Sequence, residues 1–319
     1  MGLFWLARRS YKKNPRILCY HGFTLKDEHL FRPKLFIEKH TFDMRMKYLQ
    51  DKQYNVISLD DFYHHKQEQN FPDDAVVITI DDGFYSTLKV ANDVLAKYNL
   101  PSTLYLTSYY CDKDCPIFML AAQYMFYKSN NNADLSALNI QGVTGGISDE
   151  NLNNIIKHGS KFKTEEERID LLKALAELLN IDYFALNSER LLNLIKFEEI
   201  DQLVNKGMDI QLHTHRHTFP ENEDAAIEEI EKNRAKIDPY LPKTQTHFCY
   251  PSGVWSENHW PVFEKTGVKT ATTCEPRLIY YDTPNYSLDR ILDGSNLAQI
   301  EYEAEVSGFV EFIRKLRGK

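Results

Sequence analysis

No run of some twenty apolar residues occurs in this sequence, which excludes a helical membrane span. No internal repeat or low-complexity tract appears, which sets aside repeat architectures. A basic excess is also missing. Thirty-eight Lys and Arg stand against 46 Asp and Glu, a net charge of -8, which argues against a general nucleic-acid binder. Cysteine is scarce and odd in number. Five residues (Cys19, Cys111, Cys115, Cys249, Cys274) form no paired framework and favour a reducing compartment. Cys111 and Cys115 have a spacing that suits a metal or a disulfide, but no second pair accompanies them. Cys19 and Cys249 lie in apolar runs and read as small core residues. The opening MGLFWLARRSYKKNP has its charges after a short apolar stretch and no small-residue cleavage site, the wrong order for a secretory signal. A cytoplasmic location is therefore expected. Two placements stay open for residues 1–13. Leu3, Phe4, Trp5 and Leu6 insert into a membrane surface with Arg8, Arg9, Lys12 and Lys13 at the headgroups, or the segment is a basic lead-in packed on the domain.

What is present is a long chain, 319 residues and 43% hydrophobic, able to bury a large core. Its most informative stretch is AVVITIDDGFY, Ala75 to Tyr85. Val76 to Ile80 read as a strand buried on both faces, as in a parallel sheet. That strand ends on Asp81 and Asp82, and Gly83 permits the tight turn that follows. The carboxyl edge of a parallel α/β sheet is where such folds place chemistry. Adjacent residues there diverge, so one carboxylate can bind a metal while the other stays free as a base. The competing account is a turn-forming Asp-Asp-Gly with solvated carboxylates.

Around this strand the pattern alternates. RILCY (Arg16 to Tyr20) is an apolar strand closed by His21-Gly22, a site or a turn histidine. Phe36 to Gln50 is helical, and NVISLDDF (Asn55 to Phe62) reads as a strand running into a helix that Asp60 and Asp61 cap. Thr87 to Tyr98 is an amphipathic helix stopped by Pro101, and STLYLTSYY (Ser102 to Tyr110) is the next strand, a βαβ unit. From 111 to 203 the pattern turns helical. Thr164 and Glu167 set a capping box for Thr164 to Asn180, Ser188 to Asn205 reads as a further helix, and Asn130 to Asn132 and Gly142 to Gly146 read as loops. This length exceeds a βα connection and predicts a helical insertion beside the site. The sheet resumes with Met208 to His217, then HFCYPSG (His247 to Gly253), Lys269 to Thr273 and SLDRIL (Ser287 to Leu292). Glu303 to Lys315 closes the chain as a helix.

HTHRH places His213 and His217 four residues apart at a strand end, where two imidazoles can reach one cation. With Asp82 they would form a two-histidine, one-carboxylate set with open positions for water. Such a nitrogen-oxygen set suits Zn2+ first, and also Co2+, Ni2+ or Fe2+. His215, between the two, should point away. Three surface histidines in a polar loop are the alternative.

TIDDG, HTHRH and YPSG, in this order along nearly the whole chain, resemble the signature motifs of the polysaccharide deacetylases, the NodB-homology family. LCYHG resembles the circularly shifted subgroup acting on poly-N-acetylglucosamine-like exopolysaccharides. The resemblance implies an α/β fold, a distorted (β/α) barrel with a divalent metal at the carboxyl ends of its strands. It implies one catalytic domain over 1–319 with 111–203 as the insertion. It assigns Asp81 as the general base and Asp82, His213 and His217 as the metal ligands. Tyr250, Pro251 and Ser252 would form a groove wall, with the Ser252 N–H facing the oxyanion. Two departures stand out. Many members carry Arg at the position of Cys249, so Arg290 would supply the cation beside Asp81. No late Leu-x-His motif follows, so the general acid would be His21.

The implied activity is removal of the acetyl group from an N-acetylated amino sugar in a polysaccharide, glycan or saccharide precursor. Trp255, Trp260 and Tyr250 are candidates for stacking on a sugar ring. The same site would serve an O-acetyl esterase or a non-sugar amidase, and a saccharide-binding protein without turnover is the non-enzymatic alternative.

Overall fold

The computed structural model describes residues 2–129 and 133–318, and the loop expected at Asn130 to Asn132 lies outside them. The described residues divide into two compact units, residues 2–112 with 195–318, and residues 113–194 without the three in the gap.

The first unit is built on one eight-stranded parallel sheet. Its strands are β1 (Arg16–Tyr20), β2 (Asn55–Val56), β3 (Ala75–Asp82), β4 (Ser102–Leu106), β5 (Met208–Leu212), β6 (His247–Cys249), β7 (Thr270–Thr272) and β8 (Ile291–Leu292). They lie in the order β8-β1-β3-β4-β5-β6-β7, with β2 on the start of β3. Leu288 bridges Thr272 of β7, and Ile291 then pairs with Leu18 of β1. One short segment thus touches both edges, and the sheet curls into an incomplete barrel.

Side chains two apart on a strand share a face. On β3, Val77, Thr79 and Asp81 point the same way. The lower part of that face is apolar: Ile17, Val77, Tyr105, Cys249 and Leu288 pack with Leu59, Phe62, Phe71 and Ile279. Burying each large side chain there contributes about 1.5–3 kcal/mol. Higher up, Thr79 donates to the Leu18 carbonyl at 2.7 Å, and Asp81 follows at the edge. Gly83 turns the chain at φ +96°, and a Cβ there would lie 2.2 Å from the Leu106 side chain, so both conformation and space call for glycine.

Several elements are shorter than the sequence implies. β2 has two residues, because Asn55 and Val56 are matched only by Ala75 and Val76. The helix after it, Leu59–Gln67, is capped by Ser58, whose hydroxyl accepts from the Asp61 N–H. Asp60 is drawn instead to His247 and Lys243. Ser188 to Asn205 is not one helix. The chain runs through an extended stretch in which the Ile195 N–H donates to the Gly83 carbonyl at 2.9 Å, then into Phe197–Glu199 and Ile200–Val204. The closing helix is two, Gln299–Val306 and Phe309–Leu316, broken at Gly308 with φ +81°.

Residues 2–10 form a helix that packs through Phe4, Ala7 and the following Tyr11. Arg8 donates to the Lys52 and Gln53 carbonyls and pairs with Asp74, while Lys12 and Lys13 pair with Asp73. Those three cations hold the segment on the domain.

The second unit is helical: Phe118–Lys128, Asp149–Gly159, Glu165–Leu179 and Tyr183–Ser188. The Thr164 hydroxyl accepts from the Glu167 N–H at 3.3 Å, and the Glu167 carboxylate accepts from the Thr164 N–H at 3.1 Å. No helix among the described residues is long and apolar enough to cross a membrane.

Candidate metal centre

β3 and β5 are separated by β4 alone, so their carboxyl ends lie on one edge. Asp82 ends β3 with φ +70°, which turns its side chain away from the direction of Asp81. His213 follows β5 directly. The loop after it is held in two left-handed residues, Thr214 (φ +62°) and His217 (φ +56°), and the Thr214 hydroxyl accepts from the Thr218 N–H at 3.1 Å. This tight loop returns His217 to His213, with ring centroids 4.8 Å apart. The result is a convergence on one oxygen. His213 Nε2 lies 3.3 Å and His217 Nε2 3.2 Å from Asp82 Oδ1.

The donor chemistry of this set fits a cation. His213 Nδ1 is 2.9 Å from the Cys249 carbonyl, which can only accept, so Nδ1 carries the hydrogen. In the neutral ring, Nε2 then presents a lone pair toward a carboxylate oxygen. That contact is stable only with a proton or a metal ion between them. Burial by itself pushes the His213 pKa down, but the Asp82 hydrogen bond and the charges of Asp81 and Asp82 raise it above its ordinary value. Burial likewise opposes ionisation of Asp82, and the hydrogen bonds from His213 and His217 hold its pKa well below the usual carboxylate range.

Asp81 faces a different partner. Arg290 grips it with both arms, Nη1 to Oδ1 and Nη2 to Oδ2 at 2.7 Å each, with both side chains buried. The guanidinium is itself oriented by the Thr273 carbonyl, which accepts from Nε at 2.7 Å, and by the Thr79 hydroxyl at 3.1 Å. Burial pushes the Asp81 pKa up, and the Arg290 charge and fork outweigh it, so the carboxyl is held well below its usual range. His21 Nε2 lies 3.6 Å from Asp81 Oδ2 and its side chain is partly open to solvent.

Two other donor clusters share this edge, Cys19 with His21 and Asp81, and Asp81 with His213 and Cys249. Burial pushes the Cys19 and Cys249 thiols well above their ordinary pKa, so they stay protonated and are poor ligands. Arg290 already occupies the carboxylate they would share. Asp82, His213 and His217 are the set left with free donor atoms.

The groove residues sit less uniformly. Pro251 is buried, and Ser252 is exposed with φ +57° in the turn Pro251–Gly253. Trp255 is half-buried, its Nε1 donating to Glu275 at 3.1 Å. Tyr250 is not available to a sugar. It is fully buried against Phe219, Phe248 and Phe263, with its hydroxyl on the Tyr286 carbonyl at 2.9 Å. The period of two explains this: Cys249 points inward to Asp81, so its neighbour points out into the helix layer. His215 points away from Asp82, with Nδ1 3.0 Å from the Ser108 hydroxyl. Cys111 and Cys115 are both buried and belong to none of the donor clusters among the described residues.

Asn233 is a site residue that motif reasoning misses. It is fully buried on the helix Glu223–Ile237, where its Oδ1 accepts from the His213 N–H at 3.0 Å. Its Nδ2 donates to the Leu106 carbonyl and the Ser108 hydroxyl, both at 3.0 Å. Glu229, one turn earlier, accepts from the Arg216 N–H at 2.8 Å and pins the same loop. A signal exists in the sequence. Both polar residues fall on the stripe of Ala226, Ile230 and Ile237, where an apolar side chain is the rule.

Comparison with known proteins finds similarity to one kind of protein. A polysaccharide deacetylase family model matches residues 171–271. The poly-beta-1,6-N-acetyl-D-glucosamine N-deacetylase of Staphylococcus aureus strain MRSA252 is 19% identical over 267 residues, covering 80% of this chain and 67% of that protein. Among solved structures, the Streptococcus pyogenes deacetylase PplD superposes with a TM-score of 0.61 at 16% identity, covering 93% of this chain and 97% of that one. IcaB from Ammonifex degensii superposes with a TM-score of 0.57 at 14% identity, covering 92% and 97%. These solved structures share the incomplete parallel barrel with this chain. The chain is similar to the polysaccharide deacetylase, NodB-homology, family, in sequence over part of its length and in fold over most of it.

Proposed function

We propose that this protein is a metal-dependent hydrolase that removes the acetyl group from an N-acetylated amino sugar in a polysaccharide, glycan or saccharide precursor. One observation carries the proposal. Two adjacent carboxylates at one strand end face opposite kinds of partner, Asp82 two imidazoles and Asp81 a buried guanidinium. A site of this design separates cation binding from proton transfer.

Asp82, His213 and His217 would hold a divalent cation, with Zn2+ the first candidate for a nitrogen-oxygen set. Such an ion, when bound, acidifies a water and polarises a carbonyl. The protein's own groups do the rest. Arg290 keeps Asp81 ionised although it is buried, so Asp81 is ready to accept a proton from water attacking the acetyl carbon. The fork takes one lone pair of each oxygen, and the Cys19 and Cys249 thiols lie on Oδ2, so Oδ1 is the oxygen with a lone pair for that water. His21, partly open to solvent and 3.6 Å from Asp81, is placed to deliver a proton from Nε2 to the departing sugar nitrogen. Atoms balance as amide plus water giving acetate plus amine. Ser252 and Trp255 would line the sugar groove. The whole chain would act as one catalytic domain carrying the helical unit as an insertion, and its five thiols suit a reducing compartment.

The test is acetate release and free-amine formation on N-acetylglucosamine oligomers, run beside O-acetylated saccharides and after chelation. Amine release that depends on the metal supports the proposal. Release from the O-acetyl substrate alone would assign an esterase instead, and metal binding with no turnover on either would assign a binding protein.

A further inference from the structure

The helix Phe309–Leu316 is assembled with its polarity inverted. A surface helix ordinarily turns its apolar stripe to the core and its charges to water. Here Glu311 is buried, accepting from the Tyr280 hydroxyl at 2.9 Å, and Arg314 reaches Glu305 at 3.0 Å. The charged side faces in. Phe312 and Leu316 face out, with 43% and 68% of their surface exposed. The helix Gly2–Ser10 packs beside it, joined through Phe4 and Phe309 with ring centroids 5.3 Å apart. On that second helix Leu3, Trp5 and Leu6 are 63%, 59% and 54% exposed. Two neighbouring helices therefore present large apolar side chains to the outside.

The charges around this patch are of one sign. The helix Gly2–Ser10 has no acidic residue, and Arg9 lies over the Trp5 ring at 5.6 Å. On the other helix the single acid, Glu311, is turned inward, the Lys315 ammonium lies over the Tyr280 ring at 4.5 Å, and the following Arg317 is exposed. A basic rim on a chain of net charge -8 is a local feature with a direction. Tryptophan and leucine flanked by arginine match the boundary between headgroups and acyl chains of an anionic bilayer.

We propose that the paired helices Gly2–Ser10 and Phe309–Leu316 form a docking surface for an anionic membrane, with Leu3, Trp5, Leu6, Phe312 and Leu316 entering the interface. The cations that serve it are Arg9 and Arg317, because the Lys315 ammonium lies over the Tyr280 and Tyr11 rings. Arg8, Lys12 and Lys13 are engaged within the domain. The surface is independent of the catalytic proposal.

Co-sedimentation with vesicles tests it, comparing phosphatidylcholine alone with phosphatidylcholine mixed with phosphatidylglycerol. The protein is expected to bind the anionic vesicles, to release in high salt, and to shift its Trp5 emission to the blue, a shift absent in Trp5→Phe. Leu6→Glu with Leu316→Glu should lower partitioning about tenfold or more, since each buried CH2 contributes about 0.8 kcal/mol. Both positions are exposed, so acetate release from a soluble substrate and the melting temperature should be unchanged, which separates this result from failure of the catalytic proposal. Absence of binding to either vesicle, or equal binding by the double variant, would overturn the proposal. So would a solution dimer that the double variant dissociates, which would assign the face to a second copy of the chain.

Discussion

Arg290 and Asp81 meet as a buried fork, two parallel hydrogen bonds of 2.7 Å between side chains that come from opposite ends of the sequence. Arg290 stands in the segment that touches both edges of the sheet, so the pair also fastens the barrel at its seam. Removing one partner of such a pair leaves the other charge buried and unmatched, at a cost of about 3–5 kcal/mol. Arg290→Met should therefore lower stability by that order in denaturant titrations. The Asp81 pKa is depressed in the folded protein, so the pair's contribution is present above the unfolded carboxylate value and fades as pH falls through the folded one. In Arg290→Met the two largest causes that lower the Asp81 pKa are gone, and the pKa rises. The acid limb of the pH–rate profile should move upward, and an unchanged limb would remove Arg290 from the role assigned to it.

Asp82→Asn, His213→Ala and His217→Ala should each abolish stoichiometric metal binding, read by elemental analysis of the purified chain. Chelation should lower the melting temperature of the parent protein by mass action and leave the three variants unmoved. The variants should lose nearly all acetate release. If His213→Ala retained one tightly bound ion and full turnover, the centre would lie elsewhere.

His21→Ala should slow turnover by about 10²–10⁴-fold. Metal content and substrate KM should stay near those of the parent, because His21 approaches Asp81 and not the Asp82 set. A comparable fall in metal occupancy would make His21 a ligand instead.

The strand ending in Asp81 and Asp82 and the HTHRH loop were legible because both signals are local. A run of β-branched residues marks a doubly buried strand, and a spacing of four marks a loop that folds back. Arg290 was legible only through family resemblance, since nothing near LDRIL says that it crosses to β3. Tyr250 was misjudged because an aromatic before Pro-Ser-Gly can face either side. Only the position of Cys249, pointing at Asp81 with Sγ 3.4 Å from Oδ2, decides which. The two-residue β2 depends on a pairing partner distant in sequence, and propensity carries no record of it, whereas the break at Gly308 falls at a glycine in the left-handed region and is local.

Asn233 is the strongest case of a residue whose role is tertiary. Its side chain makes three hydrogen bonds while fully buried, and one of them fixes the backbone of His213, a proposed ligand. Asn233→Leu should leave the His213 N–H and the Leu106 carbonyl without those partners, at about 1–3 kcal/mol per unsatisfied group. Outer-sphere partners of metal ligands typically tune affinity by about 10–100-fold. Metal affinity measured by competition with a chromogenic chelator should fall within that range while the fold persists. Asn233→Asp keeps the acceptor for His213 and should recover part of the affinity. Loss of stability with unchanged affinity would reduce Asn233 to a packing role.

Asp293 offers a pH test away from the metal site. Burial pushes its pKa up to about 6 although Arg45 Nε lies 3.2 Å away and draws it down. A carboxyl whose folded pKa exceeds its unfolded value binds the proton more tightly in the native state. Stability is therefore greatest at the acid end and falls as pH rises between the two values, roughly from 4 to 6. A shift of this size corresponds to a loss on the order of 3 kcal/mol across that window. Asp293→Asn cannot ionise; its single amide oxygen keeps only one of the two acceptor roles, toward Arg45 or toward the Gly294 N–H, so the comparison is of pH dependence and not of absolute stability. Its unfolding free energy should lack that decline, so the variant gains on the parent as pH rises through the window. Parallel stability curves for the two proteins would mean that Asp293 is ionised throughout, with Arg45 outweighing burial.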